Sequence, residues 1–418
     1  MSSTILSSAQ RLAPGSVARW DDLDRLRRQS PLYDAVIEEI DGRRIRIGNH
    51  WLSDFGSCNY LGFDLDPEVM AAIDPAVAKW GTHPSWSRLL GSPRICVDIE
   101  DRLTDLLGAP DTLVLPTITH IHHAVIPILA GQGTIFMDAK AHKTIYDGTT
   151  IARGRGATVV RFEADNADDL AHSLRAADPR HRRLVVMDGV NSMTGNAADL
   201  ATFARVCREN DALLYVDDAH GFGVIGEQPS PGHPYGLRGN SIVKLAGESY
   251  DNVVLVGGFS KAYSSLLAFL ALPTSLKNLL KVAAAPYLYS GPSPTASLAT
   301  VMAGLDVNES RGDAIRTDLH RKTARVLDTV HALGVHTPNT SDLPIIELPL
   351  ENPDDVDAVG EFLFDRGVYV TLAAYPIVPR DEVGFRIQVT AANTDEEITQ
   401  LCQVLRDLVE RFPLQKAA

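Results

Sequence analysis

Cysteine is scarce in this sequence, and the positions of the four that occur exclude two kinds of site. Cys58, Cys96, Cys207 and Cys402 show neither the paired spacing of a zinc site nor that of a redox motif. Reduced thiols in a cytoplasmic protein are therefore expected. The net charge of -14 at pH 7 argues against a general nucleic-acid binder, because phosphate neutralisation needs a basic face. No apolar run reaches the length of a membrane span.

Apolar residues are plentiful instead, and one run of them leads to a lysine. Residues 252–263 form an apolar stretch that passes through a Gly-Gly-Phe-Ser turn and ends around Lys261. The stretch predicts a buried strand. A lysine that is desolvated at such a strand end acts as a nucleophile and forms a Schiff base. Taken alone, the pattern also fits an exposed lysine that follows a strand.

A second apolar run ends in acidic residues. Residues 212–221 contain Asp217, Asp218 and His220 after a predicted strand. Because side chains alternate between the faces of a strand, the two adjacent carboxylates cannot face one ligand. A carboxylate and a lysine from neighbouring strand ends are the pair that pyridoxal 5'-phosphate requires: the acid keeps the pyridine nitrogen protonated, and the lysine holds the aldehyde.

Residues 216–227, Val-Asp-Asp-Ala-His-Gly-Phe-Gly-Val-Ile-Gly-Glu, resemble the signature of the α-oxoamine synthases, which are fold-type-I pyridoxal phosphate enzymes. That group includes 8-amino-7-oxononanoate synthase, 2-amino-3-ketobutyrate ligase, 5-aminolevulinate synthase and serine palmitoyltransferase. Further matching blocks lie in the expected order at 57–62, 87–91 and 188–195, and the resemblance spans about 50–410. It implies an α/β fold: a large domain with a mostly parallel central sheet, and a smaller α+β C-terminal domain.

The alternation of predicted strands and helices agrees with this fold, since it favours a parallel sheet with ligands at the carboxyl ends of its strands. We predict three segments. An N-terminal arm and hairpin occupy 1–58, the large domain that binds pyridoxal phosphate occupies 59–294, and a linking helix with the small C-terminal domain occupies 295–418.

The resemblance assigns roles to residues around the cofactor. It implies that Lys261 and His142 are catalytic, with one of them assisting removal of the substrate's α-proton. His142 is also expected to stack on the cofactor ring, and Asp217 to partner the pyridine nitrogen. Ser192 and His220 are expected near the ring oxygen.

The phosphate of the cofactor is expected at the start of a helix. A predicted strand at 112–115 leads to Ile118 and Thr119, where relatives place glycine and an aromatic residue. Free backbone amides and the positive end of the helix dipole suit a phosphate there. Relatives often carry a phosphate-binding threonine shortly before the lysine. Ser260 directly precedes Lys261 here, so its hydroxyl is a further candidate for binding the phosphate.

Two other interpretations of local motifs are disfavoured. The histidines at 120, 122 and 123 lack the i, i+4 spacing of a helical zinc site and have no carboxylate nearby, so no metal is expected. Residues 221–226 match G-x-G-x-x-G, but the three prolines in 227–234 exclude the helix that a dinucleotide site needs next.

Three residues are assigned to the substrates. Arg386 matches the arginine that clamps the substrate carboxylate, a task for which a guanidinium fork is suited. Asn59 lies in the 57–62 block and Ser87 in the 87–91 block. The loop 81–93 is bulkier than in relatives, which leaves the acyl donor open.

The predicted function is a decarboxylative Claisen-type condensation of glycine, alanine or serine with an acyl thioester, giving an α-amino ketone in specialised biosynthesis. The acyl group arrives on coenzyme A or on an acyl-carrier protein, for which the basic cluster Arg25, Arg27 and Arg28 is one candidate contact. A homodimer with a shared active site is expected, in which Ser290 or Ser293 reaches the partner's phosphate. The alternatives are a pyridoxal phosphate-dependent aminotransferase, aldolase or decarboxylase, or a non-catalytic pyridoxal-binding regulator.

Overall fold

The computed structural model describes residues 21–417, so the first twenty residues of the expected N-terminal arm lie outside the described residues. The strands are, in chain order, β1 (Ile37–Asp41), β2 (Arg44–Ile47), β3 (His50–Asp54), β4 (Asp111–Leu115), β5 (Thr134–Asp138), β6 (Thr158–Phe162), β7 (Arg183–Asp188), β8 (Leu213–Asp217), β9 (Val253–Gly258), β10 (Ala268–Leu272), β11 (Ile345–Pro349), β12 (Val368–Tyr369), β13 (Thr371–Ala373) and β14 (Gly384–Gln388).

The helices are, in chain order, α1 (Asp21–Gln29), α2 (Pro67–Ala71), α3 (Ile73–Trp80), α4 (Arg94–Leu107), α5 (Ile118–Ala130), α6 (Lys143–Gly154), α7 (Ala167–Ala176), α8 (Leu200–Glu209), α9 (Ile242–Leu245), α10 (Thr274–Ala283), α11 (Ala285–Leu288), α12 (Thr295–Ala332), α13 (Val356–Asp365) and α14 (Asp395–Val409). None of the helices within 21–417 combines the length and the apolarity that a bilayer crossing requires.

The chain divides into two compact units. The larger unit comprises 58–192 and 196–320, and the smaller one comprises the remaining described residues. The sequence places the second boundary before the long helix, at 294/295. The division instead falls inside α12, between His320 and Arg321, so that one continuous helix contributes to both units.

The larger unit is built on a seven-stranded sheet with the order β4-β10-β9-β8-β7-β5-β6. β10 pairs antiparallel with both β4 and β9, and the other neighbours pair parallel. The central strands β7, β8 and β9 are almost wholly buried, as their near-continuous apolar sequences require. The expected α/β class with a mostly parallel central sheet is confirmed.

One hydrophobic cluster of this unit includes the buried face of α5 and residues of the sheet. Ile121, Val125 and Leu129 recur at helical spacing on α5 and pack in one cluster with strand residues such as Leu184 and Val256. This packing seats the amino end of α5 at the carboxyl end of the sheet, because α5 directly follows β4. A helix start and several strand ends therefore meet at one edge.

The smaller unit contains two further sheets. The first has the order β1-β2-β3-β12, in which β2 and β3 form the hairpin that the alternating residues 43–56 predict. The second has the antiparallel order β11-β14-β13. The basic cluster on α1 lies among acidic neighbours: Arg27 and Arg28 pair with Asp24, and Arg25 pairs with Asp357. The contact of this cluster with an acidic carrier stays a prediction.

Candidate active site

One cavity of the larger unit opens at the carboxyl ends of its parallel strands. It encloses about 600 Å³ of empty space, including its solvent-open mouth. Every residue that the sequence assigns to cofactor binding lines it, and the roles of these residues stay predictions. The lining consists of Thr117, Ile118, Thr119, His142, Thr144, Asp188, Val190, Ser192, Asp217, Ala219, His220, Ser260 and Lys261.

Asp217 ends β8 on the floor of this cavity and is 5% exposed. Its Oδ1 accepts the backbone N–H of Ala219 at 2.9 Å, and its Oδ2 lies 2.9 Å from His122 Nε2. Burial alone would raise the pKa of Asp217, but the adjacent His122, with weaker help from Lys261 and His142, outweighs burial and lowers it. The carboxylate is thus held in its ionised form.

His122 is the part of this arrangement that the sequence analysis misses. It is fully buried on α5, and its Nδ1 lies 2.9 Å from the Tyr215 hydroxyl while its Nε2 faces Asp217. In the sequence, His120, His122 and His123 raise only the question of a metal site. Among residues 21–417, no group of histidine, cysteine, aspartate and glutamate side chains is arranged to hold a metal ion. Alternation along β8 predicts that Tyr215 and Asp217 share a face, but it does not identify His122 as the residue between them.

A second carboxylate lies directly across from Asp217. Asp188 ends β7 and is in register with Asp217 on the neighbouring parallel strand. Desolvation, and next the negative charge of Asp217, raise the pKa of Asp188 well above its usual range. Asp188 Oδ1 also accepts the backbone N–H of His142 at 3.1 Å. Of the paired carboxyls, Asp188 is therefore the one that holds a proton.

His142 lies at the mouth of the cavity, exposed, as the N-cap residue of α6. Its ring is restrained from one side, because its Nδ1 lies 2.8 Å from the hydroxyl of Thr144 and accepts the Thr144 backbone N–H at 3.3 Å. These two contacts fix the orientation of the imidazole at the mouth of the cavity.

The amino end of α5 forms another wall. Thr117 is the N-cap residue, and its hydroxyl accepts the His120 backbone N–H at 3.3 Å. Ile118 and Thr119 are the first two residues of the helix, so their N–H groups have no intrahelical acceptor and face the cavity edge. Together with the Ser260 hydroxyl, these donors suit an anion.

His220 follows β8 on the far side of Asp217. Its Nδ1 lies 2.8 Å from the hydroxyl of Tyr60, which is fully buried. The backbone N–H of Leu61 donates to the carbonyl of Ala262, next to Lys261, at 3.3 Å. The motif at 57–62 thus braces two cavity residues, His220 through Tyr60 and Lys261 through its neighbour.

The surroundings of the three residues that the sequence assigns to the substrates are as follows. The amide of Asn59 donates to Asp64 Oδ2 at 2.9 Å, and neither Asn59 nor Ser87 belongs to the cavity lining among the described residues. Arg386 is in the smaller unit on β14, where its Nη1 lies 3.7 Å from the sulfur of Met193. Their substrate roles remain proposals.

Asp218 points away from the cavity and is fully buried. Its Oδ2 accepts the Ile242 backbone N–H at 3.0 Å, and its Oδ1 has no partner among the described residues. Burial, with a smaller contribution from the Asp217 charge, raises its pKa well above the usual range, against the opposing Ile242 hydrogen bond. The folded protein therefore holds the Asp218 proton to higher pH than the unfolded chain does.

Asp218→Asn is expected to flatten the decline of stability with pH. The folded protein keeps the Asp218 proton at pH values where the unfolded chain releases it. The stabilisation that comes from this proton is therefore complete below the pKa of Asp218 in the unfolded chain. It decreases as the pH rises toward the pKa of Asp218 in the folded protein, by at most about 1.4 kcal/mol per pH unit. Urea midpoints of wild type and variant, compared from about pH 4 upward, should converge or cross as the pH rises.

The control is Asp168→Asn, which removes an exposed carboxylate on α7. Its urea midpoints should keep the wild-type pH profile. Parallel profiles for wild type and Asp218→Asn would show that Asp218 ionises in the folded protein, contrary to this assignment.

Comparison with known proteins completes the description of the site. The family model Aminotransferase class I and II matches residues 54–405. An 8-amino-7-oxononanoate synthase of Stutzerimonas stutzeri is 31% identical over 393 residues, covering 93% of this chain and 95% of that protein. A serine palmitoyltransferase of Caulobacter vibrioides is 32% identical over 346 residues, 82% of each chain. The solved serine palmitoyltransferase of Sphingomonas wittichii is 26% identical, with a TM-score of 0.84 over 93% of this chain and 95% of its own.

Proposed function

We propose, because the chain belongs to the aminotransferase class I and II family, that it condenses a small amino acid with an acyl thioester and releases carbon dioxide and an α-amino ketone. It is a pyridoxal phosphate-dependent transferase of the α-oxoamine synthase type. The observation that carries the proposal is the single cavity in which Lys261, the ionised Asp217 and His142 converge.

The residues of the cavity fit pyridoxal 5'-phosphate at its three functional groups. The amino end of α5 and the Ser260 hydroxyl offer donors for the phosphate, where the free N–H groups of Ile118 and Thr119 have no other helical acceptor. Asp217 offers a buried anion for the ring nitrogen, and Lys261 offers an amine for the aldehyde. When bound, the cofactor withdraws electrons from the amino acid's α-carbon.

The chain's own residues then perform the binding and the proton transfer. We assign the substrate carboxylate to Arg386 and the stacking contact to His142. The Nζ atom of Lys261 takes the α-proton, and the α-carbon attacks the thioester carbonyl, so that a carbon-carbon bond forms and the carbon-sulfur bond breaks. The thiolate leaves and takes a proton from solvent. Loss of the carboxylate as carbon dioxide follows, and a proton returned by Lys261 completes the α-amino ketone.

The quaternary structure that we propose is a homodimer with a shared active site. Trp86, Leu90 and Tyr289 are 60%, 79% and 81% exposed, and a second copy of the chain would cover them. His83 Nε2 lies 2.9 Å from the carbonyl oxygen of Pro292, which joins the loop 81–93 to the segment that carries Ser290 and Ser293. One of these serines is the candidate for the partner's phosphate. We further propose a cytoplasmic enzyme of specialised biosynthesis.

Product analysis tests the reaction. Purified protein with pyridoxal phosphate is incubated with carboxyl-labelled glycine, alanine or serine and a series of acyl-coenzyme A or acyl-carrier thioesters. We expect one amino acid to give labelled carbon dioxide, free thiol and an amino ketone in equal amounts. A keto acid without free thiol would instead indicate an aminotransferase. Carbon dioxide and an amine without free thiol would indicate a decarboxylase, and either result would overturn the proposal.

A further inference from the structure

A buried row of three side chains stands behind the floor of the cavity. The Tyr215 hydroxyl lies 2.9 Å from His122 Nδ1, and His122 Nε2 lies 2.9 Å from Asp217 Oδ2. Tyr215 and His122 are fully buried, and neither lines the cavity. A polar row of this kind costs free energy to bury unless each member is satisfied by the next, so its arrangement calls for a role.

The hydrogen bonds select one tautomer of His122. Within 21–417 the Tyr215 hydroxyl has His122 Nδ1 as its hydrogen-bond partner, and a buried hydroxyl proton without an acceptor would lose its hydrogen bond with water and gain none in return. Tyr215 therefore donates to Nδ1, and the ring proton is on Nε2. His122 then donates to Asp217, whose other oxygen already accepts the Ala219 N–H.

We propose that His122 and Tyr215 are positioning residues for the cofactor: Tyr215 sets the tautomer of His122, and His122 orients Asp217 and keeps it anionic toward the ring nitrogen. The inference rests on the assignment of Asp217 proposed above. His122 and Tyr215 lie outside the cavity lining, yet the ability of Asp217 to hold the ring nitrogen depends on them.

The charges around Asp217 explain why it needs a hydrogen-bond donor to stay anionic. Asp188 ends β7 in register with Asp217, while Lys261 and His142 line the same cavity and favour the charged form of Asp217. Two carboxyls in one cavity compete for a single negative charge. The N–H donors of His122 and Ala219 decide the competition, because they stabilise Asp217 as the anion and leave the proton on Asp188.

The test compares His122→Leu, His122→Gln and Tyr215→Phe with wild type. Leucine removes the donor, glutamine retains an N–H at similar reach, and phenylalanine removes the tautomer selector without removing the ring. We expect His122→Leu to weaken pyridoxal phosphate binding by about 10- to 100-fold, by analogy with the loss of an outer-shell partner at metal sites. It should also move the pH transition of the bound cofactor's absorption band, and His122→Gln should restore both towards wild type.

The protonation of His122 can also be measured in protein without cofactor, which makes this part of the test independent of enzyme activity. In apoprotein with isotope-labelled histidine, nuclear magnetic resonance should show Nε2 protonated and Nδ1 bare for His122. Tyr215→Phe should weaken that preference. A wild-type His122 protonated at Nδ1 alone, or a His122→Leu protein with wild-type affinity and absorption profile, would overturn the inference.

Two controls separate the failure of this inference from the failure of the proposed function. His120→Leu alters an exposed histidine of the same helix and should leave affinity and absorption unchanged. Asp217→Asn should change both if Asp217 meets the cofactor. An unchanged Asp217→Asn protein would refute the assignment of Asp217, whereas a changed Asp217→Asn with an unchanged His122→Leu would refute the role of His122 alone.

Discussion

Replacing Lys261 with alanine is expected to abolish condensation, lowering kcat/KM by about 10³-fold or more, since one change removes both a nucleophile and a proton acceptor. The purified variant should still contain pyridoxal phosphate, because the amino end of α5 and Asp217 remain. Its visible spectrum should lack the band of the lysine-bound cofactor. Absorption spectra and single-turnover assays of the two proteins measure both effects.

Lys79→Ala is the matched control, since Lys79 is an exposed lysine of the same unit on α3, far along the chain from the site. It should show the wild-type spectrum and turnover. If Lys261→Ala kept the wild-type band, another amine would hold the cofactor, and the assignment of Lys261 would be wrong. A colourless wild type that takes up no added cofactor would contradict the proposed site as a whole.

The strands that carry the cavity residues could be predicted from the sequence, because each strand is marked by its own run of apolar residues. The apolar runs before Asp217 and Lys261 predict buried strands, and the structure has β8 and β9 there as parallel neighbours. Parallel pairing brings their carboxyl ends to one edge, so two residues far apart in sequence reach one cavity. The order of the motifs, together with the resemblance, was enough to place the cofactor residues together.

His122 was not accessible in the same way, because its partner is 95 residues away in the sequence. Its own neighbourhood contains two more histidines on the same helix, and helical spacing alone does not say which of the three faces the sheet. The direction is set by the packing of α5 against the core, where Ile121 and Val125 occupy the buried stripe and turn His122 inward. That packing depends on the sheet order, which no local pattern specifies.

The pairing of Asp188 with Asp217 also depends on the arrangement of the strands in the folded sheet, so the sequence alone does not predict it. The sequence shows two acidic residues, each at the end of an apolar strand, but the register that sets them side by side belongs to the folded sheet. The neutral state of Asp188 then follows from burial and from its neighbour's charge. The contact of the Asn59 amide with Asp64 Oδ2 is likewise a property of the folded chain, and the substrate role of Asn59 stays a prediction.

Asp217→Asn is expected to reduce kcat/KM by about 10²- to 10³-fold while the protein stays folded, since the amide has the size of the carboxylate but not its charge. Without this anion, the ring nitrogen loses the partner that we assign to it, and the α-proton becomes harder to remove. The loss should appear mainly in kcat, because the interaction matters most when negative charge develops during proton removal.

The neighbouring residue supplies the control for this prediction, because Asp217 and Asp218 are both buried and face opposite ways. Asp218→Asn should keep turnover and change only the pH dependence of stability, whereas Asp217→Asn should lose turnover. Removing the Asp217 charge should also lower the pKa of Asp188, since that charge helps to raise it. Equal turnover in the two variants would mean that the charge of Asp217 plays no part in the reaction, and the cavity would then need another partner for the ring nitrogen.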